Sequence, residues 1–410
     1  MKLLIVMSGG FDTYGPSRHL YHALIEDCLK KGNIVHLIES HSTGTDTDVP
    51  ADFLKNPNFT YEIIRQKCAK KKQFVKRYIN GFLYTLKCRK PLRKTRDHYD
   101  VAMVQSCVWA PFMVPEVKKM TRATVLWNIQ DMFPGASIAN GVLKNKLLGK
   151  FFYALHKRAY KNADWISVIS EDMAKKVIEQ RFDEKRISVI YDWFDDTSVF
   201  EIAWENNLFV KKYNLKKDVF YVQYAGTMGF NFDYRLVVKV AKILQDYKDI
   251  VFQMIGFGSQ MNDFINAVKE EKLTNFMFLP LQEQNMVSHV YSSCDVCLIP
   301  LPKGVIGNSV PSKIGLLMAC KRPVISSSDA NSEYIKMINN NAFGFGCSVD
   351  NHELIAQYIL ELKNNPSLKK QMGINGYNYG SVIYSRKYNV NKYLELFDFL
   401  TSEKRKNENK

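Results

Sequence analysis

A lysine between a glycine-containing loop and an apolar turn is the most chemically suggestive feature of this chain. In Val310-Pro311-Ser312-Lys313-Ile314, a loop carrying Gly304 and Gly307 runs into what reads as a helix start, so that free amides, the Ser312 hydroxyl and the Lys313 ammonium converge. That set suits a diphosphate, because a helix N-terminus and a point cation act together on an anion. The plain alternative is a solvated lysine on a first turn. Ser8-Gly9-Gly10 follows the first strand-like run, and Ile255-Gly256-Phe257-Gly258-Ser259 ends another and opens a helix. Glycines there let an anion reach the backbone, although each also reads as a tight strand–helix turn without a ligand. The spacing at Ser8 is not GxGxxG and no acidic residue stands at the usual ribose position, which disfavours a plain dinucleotide site. Asp329-Ala330-Asn331-Ser332-Glu333 offers carboxylates to hydroxyl groups at a strand end, or else a helix cap at Asn331 or Ser332. Asp131, within Trp127–Pro134, is either a carboxylate facing reacting groups or a loop acid holding local amides. Cys294 and Cys297 form a CxxC with no second pair or histidine nearby, so they read as core thiols rather than zinc ligands.

These residues need elements to carry them, and the pattern supplies two series. Short, near-continuous apolar runs at Lys2–Ser8, Asn33–Ser40, Tyr99–Ser106, Ala123–Gln130, Trp165–Ser170 and Ile187–Asp192 predict parallel strands buried on both faces. Helical periodicity fills Pro16–Lys31 and Leu143–Lys161, the latter with Leu147, Phe151, Leu155 and Ala159 on one face and lysines on the other. The pattern restarts with strands at Asp218–Gly226, Ile250–Gly256, Phe276–Pro280, Asp295–Pro300, Pro323–Ser327 and Phe345–Val349, separated by helical stretches. Two βαβ series imply two doubly wound α/β domains, with a ligand at the carboxyl ends of the strands between them. The weakly patterned Asp195–Lys217 reads as the linker, Val390–Leu400 as a docking helix and Glu403–Lys410 as a disordered tail.

Length and charge bound the function. A chain of 410 residues suggests two or three domains, and 46% hydrophobic residues exclude general disorder. No apolar run is long enough to span a membrane, the N-terminus reads as a strand rather than a signal peptide, and eight sparse cysteines fit a reducing cytoplasm. Of the net charge of +16, most is local: thirteen Lys or Arg and no acid lie between Ile63 and Arg96. Lys70, Lys71, Lys72, Lys76 and Arg77 interleave there with Phe74, Val75, Tyr78, Ile79, Phe82, Leu83, Tyr84 and Leu86. Such a segment suits an anionic membrane surface, where each cation adds about 1 kcal/mol. A solvated helical face is the plain alternative, and nucleic acid is disfavoured.

In order along the chain, LLIVMSGG, IQDMFPGASIANGVL, YKNADWISVISEDMAKKV, YAGTMG, IGFGSQMNDF, YSSCDVCLIPL and VPSKIGLLMACKRPVISSSDANSEY resemble the GT-B glycosyltransferases. Specifically, they are similar to the retaining group 1 (family four) enzymes of bacterial surface-polysaccharide synthesis, WbuB-like branch. The resemblance implies two Rossmann-like domains facing each other across a cleft: an acceptor domain 1–200 with a basic membrane-facing insert at about 63–96, a nucleotide-sugar domain 201–385, and a terminal helix with tail 386–410 crossing back. It implies a nucleotide-diphosphate sugar donor (UDP-linked hexose or N-acetylhexosamine type), an undecaprenyl-diphosphate-linked saccharide acceptor at the inner face of the membrane, and neither metal nor cofactor. It places Lys313 on the diphosphate with Ser259 and backbone at Gly226, Thr227, Gly9 and Gly10 nearby, and Glu333 by the donor sugar; Gly256, Asn308 and Ser312 are counted with the donor site, and Asp131 is the polar neighbour left to orient the acceptor hydroxyl. Three positions depart from the family pattern. Asn308 and Leu316 stand where relatives carry paired glutamates, Gln130 where many carry histidine, and Thr227 and Asn231 where an Arg and a Lys are common. Lys313, helped by Arg235 or Lys321, is left to carry the phosphate charge. The same architecture also serves nucleotide-sugar 2-epimerases, and a non-catalytic basic membrane-binding protein is the remaining alternative.

Overall fold

The structure, a computed structural model, describes residues 1–9, 11, 18–42, 48–66, 73–94, 99–105, 108–139, 141–194 and 198–408. The chain divides into two compact units, Met1–Asp192 with Lys387–Lys410, and Trp193–Arg386.

The first unit is built on a parallel sheet of strands β1 (Lys2–Ser8), β2 (Ile34–Ser42), β3 (Phe59–Gln66), β4 (Val101–Gln105), β5 (Thr124–Ile129), β6 (Trp165–Val168) and β7 (Ile187–Val189), in the order β3-β2-β1-β4-β5-β6-β7. Leu3, Leu4, Ile5 and Val6 of the interior strand β1 are fully buried, as a strand covered on both faces requires. The C-terminal helix Arg386–Glu408 belongs to this unit from Lys387 onward. Lys392 Nζ donates to the Val189 carbonyl at 2.8 Å, and Lys404 Nζ to the Tyr99 carbonyl at 2.7 Å.

The second unit repeats the design. Strands β8 (Phe220–Ala225), β9 (Ile250–Ile255), β10 (Phe276–Leu279), β11 (Val296–Pro300), β12 (Val324–Ser328) and β13 (Gly344–Ser348) pair in parallel in the order β10-β9-β8-β11-β12-β13. In each sheet the order reverses beside the first strand, between β1 and β4 and between β8 and β11. Loops leaving the carboxyl ends of such strands diverge there and open a crevice.

Four sequence expectations are corrected. Strand β3 goes unrecognised because it is an edge strand with alternating exposure, so its apolar residues are interrupted; the basic segment starting at Ile63 therefore opens inside a strand. The supposed linker is packed structure from Ser198 on: the Phe200 and Ile202 amides donate to Ser288 and Ser292 Oγ, and buried Asn207 caps the Leu208–Tyr213 helix and reaches the His289 carbonyl. The expected disordered tail is helical to Glu408. The helix Lys146–Asn162 buries Gly149, Phe152, His156 and Ala159, not the Leu147 and Phe151 face. Phe152 and His156 are drawn inward by Tyr78, whose ring lies 4.1 Å from that of Phe152 and whose hydroxyl is 2.9 Å from His156 Nε2.

Candidate functional site

In the second unit the residues of interest gather on loops at the β8/β11 reversal. Lys313 ends the loop after β11 and is the N-cap of a helix of only six residues, Ile314–Ala319. The Ile314 amide already donates to the Pro311 carbonyl at 3.3 Å. The expected ring of helix amides is thus corrected: a helix this short has little dipole, and the anion preference rests on the lysine's own charge. Its Nζ is buried and has no hydrogen-bond partner among the described residues. It lies 3.4 Å from the centroid of the Tyr224 ring, a cation–π contact that anchors the ammonium without neutralising it. Burial lowers its pKa from the ordinary 10.5 to about 7. An uncompensated buried ammonium is costly, and an arriving anion relieves that cost.

The neighbours show which sequence candidates touch this cation. A Cβ on Gly226 would stand 3.0 Å from Lys313 Nζ, so Gly226 forms one wall of the lysine's surroundings. The Tyr224 hydroxyl donates to the Thr227 carbonyl at 2.9 Å, holding the same loop. Gly256 plays another part: its Cβ would meet the Gly226 carbonyl oxygen at 2.1 Å, so glycine is required there for two loops to close on each other. Gln260 completes that joint by donating to the Gly229 and Phe232 carbonyls. Ser259 and Ser312 are exposed on turns beside these loops. Asn308 donates to the Gly304 carbonyl at 2.8 Å and so braces the loop that carries Lys313. The Gly304 amide is held by both carboxylate oxygens of Asp329, at 3.1 and 2.9 Å. Ser332 is the N-cap of the helix Glu333–Asn340, and Glu333, half-buried in its first turn, pairs with Lys336 at 2.8 Å. Lys321 does not assist Lys313, because it is engaged 3.1 Å from Glu201. Arg235 is exposed, over the Tyr234 ring.

The first unit presents a polar cluster at the ends of β4, β5 and β7. Gln105 Nε2 donates to Gln130 Oε1 at 3.3 Å, and Gln130 Nε2 to Asp192 Oδ1 at 3.5 Å. Asp131 is exposed beside them. Asp192, which sequence reasoning did not single out, has its carboxyl pushed up to about 7, chiefly by burial and then by the charge of Asp131, with the Gln130 hydrogen bond acting the other way. Below this cluster, Asn128 accepts from the Tyr21 hydroxyl at 3.2 Å and donates to Ser167 Oγ and the Tyr393 hydroxyl at 3.0 and 2.8 Å. Glu39 on β2 is the acid of the first βα unit, and its two oxygens are turned to the Phe11 amide (2.7 Å) and the Tyr61 hydroxyl (2.8 Å). It shapes the loop after β1 instead of meeting a ribose. Gly9 lies in that loop at φ +67°, its amide donating to the Ser40 carbonyl; Gly10 lies outside the described residues.

Asp192 makes a pH prediction. Its folded pKa lies above the ordinary 3.8, so its contribution to stability is present in acid and lost as pH rises towards 7. Asp192→Asn should match the parent near pH 4 and exceed it near pH 8 by on the order of 1–2 kcal/mol in urea unfolding. An equal difference at both pH values would show that the carboxyl is already ionised.

Comparison with known proteins identifies the architecture. Residues 206–379 match the family model for glycosyl transferases group 1, and residues 15–198 match that for glycosyltransferase family 4, so the two matches take in most of both units. The chain belongs to the group 1, family four glycosyltransferases. Among curated relatives, the probable glycosyltransferase WbjE of Pseudomonas aeruginosa is 27% identical over 57% of the chain and 58% of its own length. The putative colanic acid biosynthesis glycosyl transferase WcaI of Escherichia coli K12 is 21% identical over 59% of the chain and 60% of its own length. The matched stretch thus spans about three-fifths of these curated relatives. The solved structure of HepE from Anabaena in complex with UDP-glucose superposes with a TM-score of 0.70 at 12% identity, covering 97% of this chain and 99% of that one. The fold is accordingly GT-B, with its two Rossmann-like sheets.

Proposed function

We propose that this protein transfers a sugar from a nucleotide-diphosphate donor, of the UDP-hexose or UDP-N-acetylhexosamine type, to a lipid-linked saccharide in bacterial surface-polysaccharide synthesis. The single observation carrying this reading is the Lys313 ammonium: buried, stacked on Tyr224, against Gly226 and without an anionic partner among the described residues. A pyrophosphate is the ligand that would neutralise it. The UDP-glucose bound in HepE and the colanic acid named for WcaI support the donor and pathway class.

The difficult step is cleavage of an anomeric C–O bond as charge grows on the leaving diphosphate. A preorganised cation stabilises that growing charge, so Lys313 takes the principal catalytic part. Ser259, Ser312, Asn308 and the Gly226–Thr227 backbone line the donor, and Glu333 stands towards its sugar. The family resemblance also assigns Gly9 and Gly10 to the donor. The family resemblance supplies retention of configuration, with the departing phosphate taking the acceptor proton, and independence of a metal ion. Asp131, with Asp192 beside it, orients the acceptor hydroxyl. The protein works at the inner face of the cell membrane, held by the basic segment; Lys70, Lys71 and Lys72 lie outside the described residues, whereas Lys76 is exposed and Arg77 half-buried over the Phe133 ring. No helix among the described residues is long and apolar enough to cross a membrane.

The test is a thermal-shift panel of nucleoside diphosphates and nucleotide sugars, with transfer to a short-chain lipid-diphosphate saccharide measured with and without chelator. A donor-selective rise in Tm is expected by mass action, with chelator-insensitive turnover. A panel in which no diphosphate moves the Tm would overturn the reading.

A further inference from the structure

The helices Phe74–Lys94 and Lys146–Asn162 share a structural base and leave apolar residues uncovered. On the first, Tyr84, Cys88 and Leu92 are fully buried, with the Tyr84 hydroxyl donating to the Met7 carbonyl, while Val75 (51% exposed), Ile79 (53%), Phe82 and Leu83 face outward. On the second, Phe152 and His156 are buried, whereas Leu147 is 77% and Phe151 60% exposed. Both helices seat on one cluster that includes Tyr78, Val108, Leu143 and Phe152 with Phe112 and Phe133. Phe82 meets Phe112 at 5.4 Å and Phe151 meets Phe152 at 5.3 Å, so each helix raises an exposed ring from that common cluster.

Charge identifies the occupant. The first helix carries seven Lys or Arg and no acid, and the second carries five and no acid. Along Lys146–Asn162, Leu147, Phe151 and Ala154 follow one another at i, i+4 and i+7, with exposed Lys146, Lys150, Lys157 and Arg158 on the same outward side. Large aliphatic and aromatic side chains set among cations of one sign are the pattern of an interfacial helix on anionic lipid. A protein interface would select against lysine, and a nucleic-acid backbone has no use for Leu147 or Val75.

We infer that Lys146–Asn162 is a second lipid-docking element, with Leu147 and Phe151 entering the acyl boundary while lysines from both helices engage anionic headgroups. This deepens the membrane part of the proposed function and rests on it. Sequence periodicity had assigned Leu147 and Phe151 to a buried face, so their role becomes visible only once Phe152 and His156 are seen to occupy the interior.

The full-length protein is tested on vesicles of phosphatidylglycerol and phosphatidylethanolamine, and on neutral phosphatidylcholine vesicles. The double variant Leu147→Ser/Phe151→Ser should lose about tenfold in vesicle affinity per residue. The loss should persist at about 0.5 M salt, where headgroup attraction is screened. Lys150→Glu/Lys157→Glu should lose binding mainly at low salt. In a Phe151→Trp variant, fluorescence beyond that of the parent should be quenched by brominated acyl chains. Unchanged affinity of the double variant, or absence of quenching, overturns the inference. So does a solution dimer that the double variant abolishes, which would assign the face to a second copy. The nucleotide-induced Tm shift is read on the same samples: its loss with vesicle binding intact would instead defeat the glycosyl-transfer reading.

Discussion

Replacing Lys313 with methionine should make the unliganded protein more stable and the proposed sugar transfer about 10²–10³-fold slower, a loss of about 3–4 kcal/mol in transition-state stabilisation. These opposite signs follow from one geometry. The ammonium is buried on the Tyr224 ring and without a hydrogen-bond partner among the described residues, so the resting protein bears its desolvation. Methionine fills similar volume without a charge and should raise Tm by several degrees, at roughly 2–4 °C per kcal/mol for a unit of this size. The proton balance sharpens the test. The folded pKa is about 7 against the ordinary 10.5, so between those values the folded protein holds fewer protons than the unfolded chain. Its stability therefore rises with pH across that window relative to the methionine variant. A bound diphosphate restores the proton. Nucleoside diphosphate affinity should then fall as pH rises from about 7 to 9, with proton uptake visible in calorimetry across buffers of different ionisation enthalpy. Wild-type turnover in Lys313→Met, or affinity flat with pH, would remove Lys313 from the donor site.

Much of the framework was readable because parallel strands buried on both faces appear as plain apolar runs. All six strands of the second unit stand within two residues of their expected starts. What escaped was decided by partners distant in sequence. β3 is half-exposed and so shows no continuous run. Leu147 and Phe151 share helical spacing with Leu155, but the position of Tyr78 determines which stripe faces inward. The candidate site divides along the same line. Lys313 could be marked by type and context, whereas its lack of a partner depends on Gly226 and Tyr224 from another loop. Asp192 ends its strand segment without any motif, and its raised carboxyl comes chiefly from burial and then from the charge of Asp131, some sixty positions earlier. Glycines were the most ambiguous signal, since a close approach to a ligand and a close approach to another loop require the same residue.

Gly256→Ala resolves that ambiguity. The residue sits at φ +132°, and an added methyl would lie 2.1 Å from the carbonyl oxygen and 3.0 Å from the carbonyl carbon of Gly226. Neither atom can rotate away as a side chain would. Relief requires moving the Gly226 loop, whose amide is bound to the Ile255 carbonyl at 2.8 Å, or the Gly256 amide from the Leu279 carbonyl at 3.0 Å. The expected cost is about 3 kcal/mol or more, among the largest for a single methyl group. Gly258→Ala should behave alike, because its methyl would meet the Met228 carbonyl oxygen at 2.1 Å. Ser259→Ala, one residue on and exposed, should leave the fold intact. Since Gly226 walls the Lys313 ammonium, the strained loop should also weaken nucleotide binding, and the two losses should scale together across the glycine variants. A Gly256→Ala protein that melts like the parent yet no longer responds to nucleotide would show that the glycine serves the ligand directly. If it melts early, the turn exists to bring the β8 and β9 loops together, and the lysine's surroundings depend on that joint.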